Sequence, residues 1–299
     1  MEDAVFERYP ARETALGNLK ILRALPVRER RLVGPWCFLD RFGPLSFTDS
    51  KPMDVAPHPH IGLQTVSWLQ AGEILHNDSL GNEALLRAGG VNVMTSGAGI
   101  AHAEETPAKN SGVLNGVQLW IALPDSERNG EASFQHIAEV PSIDQHGVRV
   151  SVFAGTVLGA SSVSKHFCPV LGVDIAMNAR STLELPLERS FEHAVLLMSG
   201  DAEIEGQPID SLNLYYLGTN RSSVEFKSRD GARLVLIGGP PFPEKILMWW
   251  NFVGRTPEEI RQARSDWQSH QRFGDVKAYQ GPRLDAPPLR QFAAPNPAS

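Results

Sequence analysis

Residues 62–69 (GLQTVSWL) alternate apolar and polar positions in a run rich in β-formers, the period of a half-buried strand. Ala71-Gly72 then predicts a turn and residues 73–80 a returning strand, so the stretch reads as a hairpin. Residues 90–95 (GVNVMT) and 116–123 (GVQLWIAL) predict two further strands, with the glycine-rich Ser96-Gly97-Ala98-Gly99 between them. Ahead of these, Val5-Phe6 and residues 19–22 predict short strands. Residues 32–44 form a strand between two Gly-Pro breakers, apolar on both faces and therefore buried. After Pro141 the pattern begins again. Strands are expected at 148–154, 182–187, 194–198, 202–205, 212–217, 223–226 and 232–237, with turns at Ser199-Gly200, Glu205-Gly206 and Asp230-Gly231. Many short strands at hairpin spacing imply an all-β antiparallel sandwich or barrel rather than an alternating βαβ sheet.

The tail breaks this period. Thr256-Pro257-Glu258-Glu259 offers an N-cap, a proline at the first helical position and a glutamate at the third. A helix over 257–273 follows, with Ile260, Ala263 and Trp267 on one face. Arg255, Arg261 and Arg264 read as a solvated face. Residues 281–299, with five prolines, predict an extended surface segment. A chain of 299 residues exceeds one ordinary core, so two domains are expected, 1–140 and 141–299, the helix and tail belonging to the second. The two halves resemble each other weakly. Residues 66–73 (VSWLQAGE) lie on 195–201 (VLLMSGD), each a strand closed by a glycine turn and an acid.

Composition narrows the function classes. A formal net charge of −6 offers no global attraction to phosphate backbones, so direct nucleic-acid binding is not expected. Cys37 and Cys168 lack paired spacing, which signals neither a disulfide framework nor a thiolate metal site. MEDAVFERYP has no apolar signal-peptide core, and no run approaches the ~18 apolar residues of a membrane span, so a cytoplasmic protein is expected.

Residues 57–105 hold four of the nine histidines, and this density is where chemistry concentrates. On a strand, residues i and i+2 share a face, so His58 and His60 can point together into a barrel. A bare His-x-His more often marks a solvated or core pair than a metal pair. His102-x-Glu104 repeats the geometry with a carboxylate. Three imidazoles and one carboxylate suit first-row divalent ions such as Fe(II), Mn(II), Ni(II), Cu(II) and Zn(II), and four ligands leave two positions open on an octahedral ion. Residues 96–102 lack the last glycine and the βαβ context of a dinucleotide loop, so a tight turn beside the site is the better account. His76, beside Asp78, reads as a residue that supports a ligand or ends a strand. His136, His146, His166, His193 and His270 read as ordinary surface or core positions. In the second half Pro186 and Glu188 stand where the histidine pair would be, so a second metal site is not expected.

The run His58-Pro59-His60-Ile61-Gly62-Leu63-Gln64-Thr65-Val66, then Gly72-Glu73, His76, Asp78-Ser79-Leu80-Gly81, then Met94-Thr95-Ser96-Gly97, Gly99-Ile100, His102 and Glu104, resembles the pirin family of bicupins. The segments at 38–44, 116–120 and 250–253 fit the same pattern. The resemblance implies two cupin-type β-barrels with a short C-terminal helix and one metal ion in the first barrel, most simply Fe(II). By position its ligands are His58, His60, His102 and Glu104. Gln64 replaces the glutamate of the general cupin pattern, Ala98 stands where many relatives carry Arg or Ser, and Ala103 where many carry Ser. The resemblance further implies a quercetin 2,3-dioxygenase type of activity, with a flavonol-like aromatic substrate and O2, and Glu104 as both ligand and base. Phe38, Phe42, Trp68 and Trp120 line its pocket or fill its core. For some members it implies instead a metal- or redox-sensing role toward a protein partner without turnover. A monomer is expected.

Overall fold

The computed structural model describes residues 6–16 and 19–289. Among the described residues, twenty-five strands and one helix make it an all-β protein, as the alternation predicted, and the strands divide between two compact units. Of these residues, one unit comprises 6–14, 22–41 and 139–242; the other comprises 15–16, 19–21, 42–138 and 243–289. Among the described residues no helix is long and apolar enough to cross a membrane, and no disulfide is formed, Cys37 being buried and Cys168 half-buried.

In the first unit a seven-stranded sheet runs in the order Glu7–Pro10, Asn213–Gly218, Glu192–Gly200, Ala232–Gly239, Leu171–Met177, Val148–Ala154 and Ser142–Gln145. A second sheet joins Ser181–Pro186, Ser223–Ser228, Ala202–Ile204 and Gln207–Ile209. The inward positions of both sheets, such as Val150, Ile175, Leu185, Leu197, Phe226 and Leu234, form one apolar core. The strand Leu171–Met177 was not predicted. Its alternation is masked by the charge of Asp174, which is buried and paired with Arg233 at 2.8 Å. The expected start at Val5-Phe6 falls partly outside the described residues, since Val5 is not described; the strand begins at Glu7.

In the second unit the expected hairpin does not exist. Residues Leu63–Asp78 form a single strand of 16 residues that passes straight through Ala71-Gly72. Gly72 has φ of +90°, and a Cβ there would lie 2.2 Å from the Val113 carbonyl oxygen, so only glycine lets the strand bend where it meets its neighbour. The bend lets one strand serve two sheets. Its first half pairs with Val91–Thr95 and Val113–Ala122; its second half pairs with Glu83–Arg87 and Ile100–Glu105. Ile100–Glu105 also pairs with Asp54–His60. Likewise the strand Trp36–Ser46 is not stopped by Gly43-Pro44. Between the two sheets, Ile21, Phe42, Val55, Leu69, Ile74 and Leu114 are among the buried core residues.

The helix Pro257–Gln268 ends five residues before the expected limit. Its cap is as predicted on one side, Thr256 Oγ1 accepting from the Glu259 N–H at 3.2 Å. The Glu259 carboxylate, however, accepts from the N–H of Arg255. Ile260, Ala263 and Trp267 bury against Ile61, Ala101, Ala103 and Phe252. Residues 243–289 therefore pack with the histidine-bearing strands, whereas the sequence pattern attached them to the second half. Arg255 is not a solvated residue either: it pairs with Glu244 and donates to the Leu123 carbonyl at 2.7 Å. In the described part of the tail, Leu284 N–H donates to the Pro57 carbonyl at 2.9 Å and its own carbonyl accepts from Trp267 Nε1 at 2.8 Å.

Candidate metal centre

Strand register brings the histidines together. In the ladder between Asp54–His60 and Ile100–Glu105, His58 stands opposite His102, after a bulge that follows Val55. In the ladder on the other edge, Glu104 stands opposite His76 and Asp78 opposite His102. Strand alternation then puts His102 and Glu104 on one face and Ala101 and Ala103 on the other, where they pack under the helix. Ala103 thus faces the helix rather than the histidines. Both faces of the strand are buried, which is why its sequence IAHAEE shows no simple contrast of apolar and polar.

The imidazole rings of His58, His60 and His102 have centroids 5.0, 4.4 and 5.0 Å apart in pairs. One nitrogen from each lies within 4.8 Å of the others, and His76, His102 and Glu104 form a second such trio. His102 belongs to both. The structure therefore gathers His58, His60 and His102 at one end and sets Glu104 with His102 and His76 at the other. The remaining groups expected to be ordinary are just that for His136, bonded to Asn92, and His166, bonded to Ser164. His193 is fully buried, and neither ring nitrogen has a hydrogen-bond partner among the described residues. Pro186 and Glu188 are exposed, and among the described residues of 139–242 no trio of metal-ligating side chains occurs.

The protons of the site can be placed from their acceptors. His58 Nδ1 lies 2.9 Å from the Ala56 carbonyl and His60 Nδ1 lies 3.1 Å from the Asn251 carbonyl. A carbonyl only accepts, so each neutral ring carries its proton on Nδ1 and leaves a lone pair on Nε2. Both rings are neutral at pH 7 because burial pushes His58 down to about 4 and His60 and His102 well below the usual imidazole value. The Nε2 atoms of His60 and His102 stand 3.1 Å apart, and His60 has no proton there to share. Two nitrogens that ligate one ion at ~2.1 Å and at a right angle stand ~3 Å apart, so the donor set fits a divalent ion.

Glu104 is buried, and burial raises its carboxyl above the usual range against the opposing pull of His76 and a hydrogen bond from Ser67 Oγ at 3.2 Å. Of the four aromatics considered for the pocket, Trp120 meets the histidines, edge-on to His60 at 5.3 Å. Phe42 sits in the core, Trp68 is buried, and Phe38 lies beneath the Arg23 guanidinium. Gln64 is buried with its amide on Thr95 Oγ1 at 2.9 Å. Three contributors were not predicted: Asn251, Ser67 and Phe134, the last stacked on His76 at 4.2 Å. Ser67 had a signal, a small hydroxyl on the buried side of an alternating strand. Asn251 had none, because it acts through its backbone carbonyl.

The amino-acid sequence matches the Pirin family over residues 18–121 and the Pirin C-terminal cupin domain over residues 172–274. A Pseudomonas aeruginosa protein named "Putative quercetin 2,3-dioxygenase" is 42% identical over 287 residues, 95% of this chain and 91% of its own length. Human pirin is 30% identical over 272 residues, 87% of this chain and 90% of its own. The crystal structure of a quercetin 2,3-dioxygenase from Acinetobacter baumannii superposes with a TM-score of 0.94 at 38% identity, covering 97% of this chain and 98% of that one. With two cupin domains, and relatives that align over most of its length, the chain belongs to the pirin family.

Proposed function

We propose that this protein is a metal-dependent dioxygenase of the quercetin 2,3-dioxygenase type, with one divalent ion, most simply Fe(II), held by His58, His60, His102 and Glu104. The observation that carries the reading is the convergence of three buried, neutral imidazoles, those of His58 and His60 with the Nε2 lone pair left bare, beside a buried carboxylate. The chain's similarity to two proteins that bear that activity in their names supports the substrate class. When bound, the ion supplies open coordination positions for oxygen ligands and Lewis-acid polarisation.

The chain's own residues do the rest. Ala56 and Asn251 fix the His58 and His60 rings in the tautomer that leaves Nε2 bare. Glu104, the buried carboxylate of the set, takes the proton of the flavonol hydroxyl. Ser67 orients one oxygen of that carboxylate. Trp120 forms an apolar wall beside His60 against which an aromatic substrate stacks. In the overall reaction both oxygen atoms of O2 enter the products, the ring opens, and one carbon leaves as carbon monoxide, so no external reductant is consumed.

The test is anaerobic reconstitution with Fe(II), Mn(II), Ni(II) or Cu(II) in turn, followed by admission of oxygen with quercetin. Metal-dependent loss of the flavonol absorbance, abolished in Glu104→Ala, is expected. Absence of such loss with every metal refutes the assignment.

A further inference from the structure

His58 and His60 each have a backbone carbonyl that settles which nitrogen is bare; His102 has none among its described partners. Its Nδ1 instead faces His76 Nδ1 at 3.4 Å. His76 Nε2 in turn lies 3.2 Å from Asp78 Oδ2, in a pair that is buried on both sides. A carboxylate accepts, so the Nε2 of His76 donates to Asp78, and the singly protonated ring presents its Nδ1 lone pair to His102.

The support is itself held. Asp78 accepts from the N–H of Leu80 at 2.9 Å, the N–H of Asn82 at 3.0 Å and the Asn82 amide at 2.9 and 3.1 Å. Phe134 lies flat on the His76 ring, 8° from parallel, and fixes its plane. The register that sets Asp78 opposite His102 and His76 opposite Glu104 puts this pair on the same face as the ligands, directly beside them.

We propose that His76, braced by Asp78, is a positioning residue for His102: it accepts the Nδ1 proton of His102 and thereby reserves His102 Nε2 for the metal. This rests on His102 being a ligand, as read above. A histidine without a fixed tautomer presents its lone pair on either nitrogen, and the wrong choice puts a proton where the ion belongs. The Asp78–His76 pair removes that choice, doing for the third imidazole what Ala56 and Asn251 do for the other two.

Two measurements test the proposal. Long-range proton–nitrogen correlation spectra of metal-free wild type labelled with ¹⁵N-histidine are expected to show His102 protonated on Nδ1; protonation on Nε2 overturns the proposal. Zn(II) affinity, by competition with a chromophoric chelator, is expected to fall at least ~10-fold in His76→Phe, which keeps the stacking but cannot accept. His76→Asn, whose carbonyl oxygen can accept at the Nδ1 position, is expected to recover most of it. Affinity unchanged in His76→Phe, with His58→Ala strongly weakened, overturns the positioning role alone. Affinity unchanged in both variants overturns the metal reading itself. If His76→Phe does not fold, the wild-type spectrum and His76→Asn still decide.

Discussion

At His60 the chemistry of one ring nitrogen is set by a carbonyl 191 residues away in sequence, that of Asn251. The histidine itself was legible, because His-x-His on a strand puts two rings on one face. What held the ring was not legible, since any residue type offers the same carbonyl. Glu104 shows the converse: its spacing from His102 marked it, and burial raises its carboxyl above the ordinary value in the metal-free chain. Glu104→Gln keeps the volume and hydrogen-bonding length but loses the charge; flavonol consumption is expected to fall by ~100-fold or more, read as kcat/KM in the reconstituted protein. His193, read from sequence as ordinary, belongs to another class of prediction. Burial pushes its imidazole down to about 4, so its folded value lies below the unfolded one. Its contribution to stability is therefore present above about pH 6.5 and lost progressively as the pH falls toward 4, on the order of 2 kcal/mol by pH 5. His193→Leu is expected to flatten the acid limb of the stability curve, measured by urea unfolding between pH 7 and 5. An equally steep loss in the variant contradicts the account.

Among the elements, the strands were largely legible and their connections were not. Alternation located Val91–Thr95, Val113–Ala122 and Val148–Ala154 within a few residues. Ala71-Gly72 was read as a turn because glycine marks both a reversal and a bulge, and only the partner strand distinguishes the two. The distinction matters for function, since the unbroken strand carries Ser67 in one sheet and His76 in the other. Gly72→Ala forces a Cβ toward the Val113 carbonyl at a positive φ; a loss of ~1–3 kcal/mol in urea unfolding is expected. The helix cap was equally legible, yet the face it covers was not. Trp267, buried against the layer behind Ala101 and Ala103, is expected to cost ~3–5 kcal/mol when cut to alanine. Hydrogen exchange in Trp267→Ala is expected to accelerate at Ile100–Glu105, because that strand loses the cover on its outer face.

At the scale of the whole molecule, two cupin domains followed from the repeated pattern and the pirin resemblance. The route of the chain did not. Residues 243–289 belong to the unit of the histidine-bearing strands, tying Val253 to Ile61 and Leu284 to Pro57 on either side of the histidine pair. Local pattern cannot reveal such long-range returns, because they depend on which exposed apolar face remains to be covered. The arrangement makes the C-terminal segment part of the histidine cluster's scaffold. Metal binding to the folded chain alone is then expected to raise Tm in proportion to the logarithm of metal concentration, in the wild type and not in His60→Ala. The most direct test of the central claim is the metal stoichiometry of the purified, reconstituted chain, read by elemental analysis after removal of loosely bound ions. One divalent ion per chain is expected in the wild type and almost none in the His58→Ala, His60→Ala double variant. A wild type that retains no ion, or a double variant that retains a full equivalent, contradicts the account.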